Sequence, residues 1–288
     1  MKIEIIHEDQ DLLVINKPPG LVVNRAESVK VATLQDWLEE NIEGIGKRKF
    51  PEGWQEQLPK DFTGEYGTPE EIFESRTGLA HRLDKETSGA MLIAKHPGSL
   101  VNLLRQFRLR ETQKKYTCLT HGKFAMSNGE VNLPIGRRPS NRKLFAVVPD
   151  GREALTKYEV EEFYPKFDLE KLITANLNAS QTSYSKPQNL KQKRFSLYEG
   201  FSLVSCWPKT GRTHQIRVHM AYLKHPIVGD KSYVGKKRTK LDNLWCERQF
   251  LHAREIELTH PRSGQRVKYT ADLSDDLMLS LTFVSFGL

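Results

Sequence analysis

Ala80–Lys95 reads AHRLDKETSGAMLIAK, and the rest of the chain takes its meaning from this stretch. His81–Gly89 is polar and turn-forming. Met91–Ala94 is an unbroken apolar run, which predicts a short buried strand. One acid, Asp84, stands beside two basic groups, Arg82 and Lys85, and Thr87, Ser88 and Gly89 turn the chain into the strand. A carboxylate presented on a loop at the edge of a buried strand is a common way to build a site, because the scaffold fixes what the loop offers. On spacing alone the bland reading is favoured, an ordinary loop acid neutralised by its neighbours.

The chain around this stretch has 288 residues, enough for a sizeable core as one large domain or two subdomains. Hydrophobic residues at 38% and charged residues at 28% fit a soluble globular protein with a solvated surface. No apolar run is long enough to cross a bilayer. The opening MKIEIIHEDQD has acids where a signal peptide has its apolar centre. Cys118, Cys206 and Cys246 lie far apart in the sequence, which argues against a disulfide framework or a Cys-rich zinc site and fits a cytoplasmic protein. The net charge of +8 permits binding to a polyanion without showing it.

Before the central stretch, Lys2–Glu8 alternates as an edge strand and Leu12–Asn16 reads as a second strand. KPPG, Lys17–Gly20, breaks it. Thr33–Ile42 predicts a helix capped by Thr33. Residues 44–76 are rich in Gly, Pro, Glu and Lys and read as a long, exposed loop or insertion. After the central strand, Ser99 caps a predicted helix through Arg110. Its apolar side is Leu100, Leu103, Leu104 and Phe107, with Arg105, Arg108 and Arg110 facing out. Strands are predicted at 114–122, 130–136, 144–148, 155–162, 201–207 and 250–259, and a closing helix at 272–281. Arg137, Arg138, Arg142 and Lys143 cluster at one hairpin tip, which suits a phosphate grip as well as plain solvation. Residues 176–193 are polar and unpatterned and read as an insertion loop. KTGRTHQIRVHMAYLKHPIVGD, Lys209–Asp230, contains a predicted helix from a Thr213 cap to about Leu223. Its stripe is Ile216, Met220 and Leu223, with Arg217 on the face of Thr213.

HRLDKETSG resembles the signature of the RluA-type pseudouridine synthases, H-R-L-D followed by two variable residues and T-S-G, and QIRVH is a second match. The resemblance runs from about Ile3 to Leu258, interrupted at 44–76 and 176–193. It implies one catalytic domain spanning 1–288, without the additional N-terminal RNA-binding domain of some relatives. The implied fold is α+β, a mixed, largely antiparallel sheet in two halves around a central cleft with flanking helices. The implied function is a cytoplasmic, monomeric isomerase making pseudouridine in structured ribosomal or transfer RNA.

Within that resemblance Asp84 is the catalytic acid, acting as nucleophile or base at the ribose. Arg217 of QIRVH is the arginine that keeps it charged, its guanidinium being a permanent planar fork. Tyr116 of Lys114–Tyr116 stacks on the uracil near the proton on carbon 5. Arg82 fills the space left by the everted nucleotide, and Leu251 of FLHA backs the base, although a plain core leucine fits there too. Arg137, Arg138 and Arg142 are candidate RNA contacts. The isomerisation is redox-neutral and needs no cofactor. His214 and His219 lie five apart rather than the four that share a helix face, so no metal site is expected. Two other classes remain, an RNA-binding protein that has lost the activity and a base-excising hydrolase. Intact Asp84, Tyr116 and Arg217 argue against the first, and release of free uracil would mark the second.

Overall fold

The structure, a computed structural model, describes residues 2–178 and 195–285. The chain forms two compact units. One runs up to Lys115 and takes in His252–Asp272; the other comprises Tyr116–Leu251 and the chain from Leu273. In chain order the first unit holds β1 (Glu4–Glu8), β2 (Leu12–Lys17), α1 (Leu34–Asn41), α2 (Glu43–Gly46), a 3-10 turn at Trp54–Gln57, α3 (Pro69–Arg76), β3 (Ser88–Ala94) and α4 (Pro97–Arg108). β4 (Gln113–His121) leads into the second unit. There follow β5 (Asn128–Asn132), β6 (Ile135–Arg137), β7 (Phe145–Val147), β8 (Leu155–Tyr164), β9 (Lys166–Phe167), α5 (Leu169–Asn178), β10 (Phe201–Pro208), α6 (Gln215–Tyr222) and α7 (Lys236–Asp242). β11 (Leu251–Thr259) and β12 (Arg266–Thr270) return to the first unit, and α8 (Asp275–Leu281) and β13 (Val284–Ser285) close the second.

The class is α+β with mostly antiparallel pairing. In the first unit β1, β2 and β3 pair antiparallel, β11 joins β3 in parallel and β12 joins β11 antiparallel. In the second, β4, β10, β8 and β5 pair antiparallel in that order. β6 and β7 make a separate hairpin, and β9 pairs with β13. β3 is buried along its whole length, which explains why its sequence is continuously apolar instead of alternating. Burying Met91, Leu92 and Ile93 contributes about 1.5–3 kcal/mol each. Gly89 makes this packing possible. Its φ is +116°, and a Cβ there would lie 2.3 Å from the carbonyl oxygen of Ala253 on β11. The second unit packs around Phe201, Val204 and Cys206 of β10 with Trp245 and Phe250. Cys118 and Cys206, distant in sequence, are neighbours here, free thiols with sulfurs 3.8 Å apart. Among the described residues no helix is long and apolar enough to cross a membrane.

Several sequence expectations need correction. Residues 44–76 are mostly exposed, as expected, but they are not a long loop: they contain the end of α2, the 3-10 turn and α3. Thr68 and Glu71 form a reciprocal capping box with Pro69 in the first turn, and Trp54 is buried. Gly98 of α4 lies so close to the turn that a Cβ would meet the Trp54 carbonyl at 2.2 Å. α4 starts at Pro97, two residues before the predicted cap, because His96 Nδ1 accepts from the Ser99 N–H at 3.2 Å. Residues 130–136 divide between β5 and β6. α6 is not capped by Thr213: it follows His214 in a left-handed conformation, and Gln215–Met220 are all buried, so it has no solvated face in that run. The last helix begins at Asp275. Of the stretch 176–193, the first three residues end α5 and 179–193 lie outside the described residues.

Candidate active site

The turn that carries Asp84 is fixed from four directions within the first unit. His81 Nε2 accepts from the Leu92 N–H of β3 at 2.9 Å, and its ring stacks on Phe107 of α4 at 4.9 Å. Burial, with the nearby Lys114 charge, pulls the His81 pKa down to about 3, so the imidazole stays neutral and keeps its acceptor nitrogen. Leu83 is buried. The Thr87 N–H donates to the Asp84 carbonyl at 3.0 Å, closing the turn. The Lys85 carbonyl accepts from the Gly20 N–H at 2.9 Å and from Lys17 Nζ at 3.1 Å. Lys17 is 0% exposed, and its ammonium also donates to the carbonyls of Pro18 and Leu21. One buried cation thus ties the KPPG turn to the Asp84 turn. Ser88 Oγ donates to His252 Nδ1 at 2.9 Å, and His252 Nε2 donates to the Ala271 carbonyl at 3.2 Å. On this frame Asp84 is half-buried and Arg82 is exposed, with no hydrogen bond or ion pair to Arg82 among the described residues.

The second unit builds a rigid seat for Arg217. Its Nε and Nη2 donate to the two oxygens of Asp230 at 2.7 and 2.9 Å, and the guanidinium lies 5.2 Å from the centre of the Tyr233 ring. Both partners are buried, Asp230 completely. The Tyr233 hydroxyl meets His214 Nδ1 at 3.0 Å and accepts from the Phe145 N–H at 3.3 Å. Gln215 accepts from Thr210 Oγ1 and the Arg212 N–H and donates to the Leu155 carbonyl and Thr156 Oγ1. Thr156 Oγ1 in turn meets His219 Nδ1 at 2.9 Å, and His219 Nε2 donates to the Leu133 carbonyl at 3.1 Å. Thr210, Arg212, His214, Gln215, Arg217 and His219 of the second signature are therefore all engaged in holding one buried helix in place.

Tyr116 is half-buried on β4, opposite Cys206 of β10. Leu251 is buried at the head of β11 in the apolar core of the second unit, as the plain reading expects. Arg137, Arg138, Arg142 and Lys143 are exposed around the β6–β7 hairpin. Arg137 has a structural part as well: Nη1 donates to the Arg142 carbonyl at 2.9 Å, and the guanidinium lies 4.4 Å from the centre of the Phe145 ring. The α4 arginines differ, because Arg105 and Arg108 both pair with Asp61 and Arg105 also approaches Glu111. Asp84 and Arg82 belong to the first unit, and Tyr116, Arg217, Leu251 and the hairpin to the second.

Sequence reasoning passed over Lys17, Asp230 and Tyr233. The signals were the lysine entering PPG and the aspartate and tyrosine of GDKSYVG, which read as ordinary turn residues until the contacts are seen. Asp9, Asp11 and His260 bring three potential metal ligands together. His260 Nδ1 accepts from the Arg262 N–H, so its Nε2 keeps the proton and donates to Asp9, while Arg262, His96 and Gln57 hold Asp11. That is a structural ion network in the first unit.

The family described as RNA pseudouridylate synthase matches residues 11–222. An uncharacterised RNA pseudouridine synthase of Bacillus subtilis is 31% identical over 277 residues, covering 96% of this chain and 71% of its own length. The ribosomal large subunit pseudouridine synthase D of Blochmanniella floridana is 32% identical over 286 residues, with the same two coverages. Among solved structures, human RNA pseudouridylate synthase domain containing 4 superposes with a TM-score of 0.60 at 23% identity, covering 97% of this chain and 92% of that one. This likeness supports the fold.

Proposed function

We propose, for a chain that belongs to the RNA pseudouridylate synthase family, that Asp84 carries the chemistry of the isomerisation. The chain is an RNA pseudouridine synthase, an isomerase. The reaction breaks the bond from ribose C1′ to uracil N1 and makes one from C1′ to C5; C5 loses a proton and N1 gains one. A carboxylate at the ribose serves as nucleophile or base. The observation that carries the assignment is the Asp84 turn itself, a half-buried acid on a loop pinned by His81, Lys17 and Gly89. A turn held this firmly limits the reorganisation needed when substrate arrives.

Tyr116 and Arg217 are the partners in this reading. Arg217 is a permanent cation kept in one orientation by Asp230, and Tyr116 offers a ring and a hydroxyl to the base. Arg82, exposed beside Asp84, is suited to occupy the space of an everted nucleotide, and Leu251 to back the base. The substrate in this reading is large-subunit ribosomal RNA, which a relative's name specifies, modified by a cytoplasmic monomer. Mapping pseudouridines in total RNA with and without the protein tests it. The expected result is one or more ribosomal uridines that depend on the protein. Sites confined to transfer RNA would overturn the choice of RNA, and release of free uracil would overturn the isomerase.

A further inference from the structure

Lys231, Lys236, Lys237, Arg238 and Lys240 place five cations, and no acid, within ten residues of a chain whose whole net charge is +8. The acids that bracket this run, Asp230 and Asp242, are both 0% exposed and both engaged inward. Asp230 holds Arg217. Asp242 accepts from His121 Nε2 at 2.9 Å and the Gly229 N–H at 3.0 Å on one oxygen, and from the Tyr198 hydroxyl at 2.9 Å on the other. The segment is therefore fastened at each end to the interior of the second unit, and its cations stay outside.

Lys231, Lys236, Lys237 and Lys240 are exposed, and among the described residues no ion pair engages them. Arg238 is half-buried and donates to the Leu197 carbonyl. α4 is the contrast, because Arg105 and Arg108 already face acids, both pairing with Asp61 and Arg105 also approaching Glu111. Lys236 and Lys240 stand four apart on α7, a like-charge pair that disfavours the helix by a few tenths of a kcal/mol. A polyanion laid along the helix would relieve that repulsion.

We propose that α7 together with Lys231 is a phosphate-binding face for the RNA substrate. The proposal rests on the RNA synthase reading above. The ammonium groups are compact point charges suited to backbone phosphates and not to base edges, so the grip is sequence-independent. The face is linked to the site within one unit, since Asp230 and Tyr233, which seat Arg217, stand on either side of Lys231 and ahead of α7.

The test is RNA binding at several salt concentrations, with single-turnover pseudouridine formation measured on the same preparations. Lys231→Ala, Lys236→Ala, Lys237→Ala and Lys240→Ala are combined in one variant. Each lost phosphate contact should flatten the salt slope by about 0.9, and Kd near physiological salt should rise about tenfold or more. The rate at saturating RNA should match the parent, and a variant with arginine at all four positions should keep the parent slope. Arg105→Ala with Arg108→Ala should leave the slope unchanged. An unchanged slope and Kd in the four-alanine variant, or an arginine version as weak as the alanine one, overturns the proposal. Binding and turnover are read separately. An inactive parent protein would therefore count against the function reading, while the slopes would still judge α7.

Discussion

Under the proposed function Arg217 has two duties, one in the reaction and one in packing. Its fork is matched by both oxygens of Asp230, a geometry an ammonium cannot copy. Arg217→Lys should lower the single-turnover rate about a hundredfold or more. It should also cost about 1–3 kcal/mol of stability in denaturant unfolding, because Asp230 is left buried and under-satisfied. A normal rate would remove Arg217 from the reaction. QIRVH was legible in the sequence as the source of an arginine; its partner was not, because Asp230 lies thirteen residues on in a polar turn. His81 carries a pH dependence. A free histidine takes up a proton near 6.5, whereas folded His81 does so only at about 3. Between those values the unfolded chain binds the proton and the folded chain does not, so this contribution is full above 6.5 and is lost as pH falls toward 3. His81→Gln, which keeps an acceptor for the Leu92 N–H but does not titrate, should flatten the fall of Tm with acidification across that window. An unchanged Tm–pH curve would mean that His81 titrates normally.

At the scale of elements, the most readable piece was β3, whose apolar run and preceding turn fixed both its type and its burial. Gly89 sets the tolerance there. Gly89→Ala requires a Cβ 2.3 Å from the Ala253 carbonyl oxygen at a left-handed φ, so β11 must move away. The loss should exceed about 3 kcal/mol in denaturant unfolding; a loss below about 1 kcal/mol would show that the strands separate easily. α3 was readable in principle, since T-P-E-E is a capping box with a proline in the first turn. It was passed over because its apolar content is low and only Phe73 is buried. α7 had no periodic signal at all: KKRTKLD buries only Leu241 and Asp242, and an interior aspartate, not an apolar stripe, fastens it. α6 misled in the opposite direction. Its sequence suggests an amphipathic helix, but its polar residues are buried and find partners on β8 and in the link between β5 and β6.

For the molecule as a whole, the proposed function assigns the hold on RNA to surface charge and the chemistry to one acid. Arg138 and Arg142 project from the β6–β7 hairpin without acidic partners among the described residues, and Arg137 is partly engaged in the hairpin itself. Replacing all three by Ala should raise Kd for RNA and flatten its salt slope by about two, the rate at saturation changing little. An unchanged slope would place the hairpin away from the RNA. Asp84 is the residue on which the proposed chemistry depends. Asp84→Asn keeps the size of the side chain and removes the negative charge, in a turn whose backbone is pinned independently by Leu92, Lys17 and Gly20. The measurement is single-turnover pseudouridine formation by this variant on an RNA that the parent protein modifies, with Kd determined in parallel. A rate loss of about a thousandfold or more is expected, with Kd within about threefold of the parent, because phosphate contacts supply most of the affinity. Near-parental conversion by Asp84→Asn would remove Asp84 from the reaction.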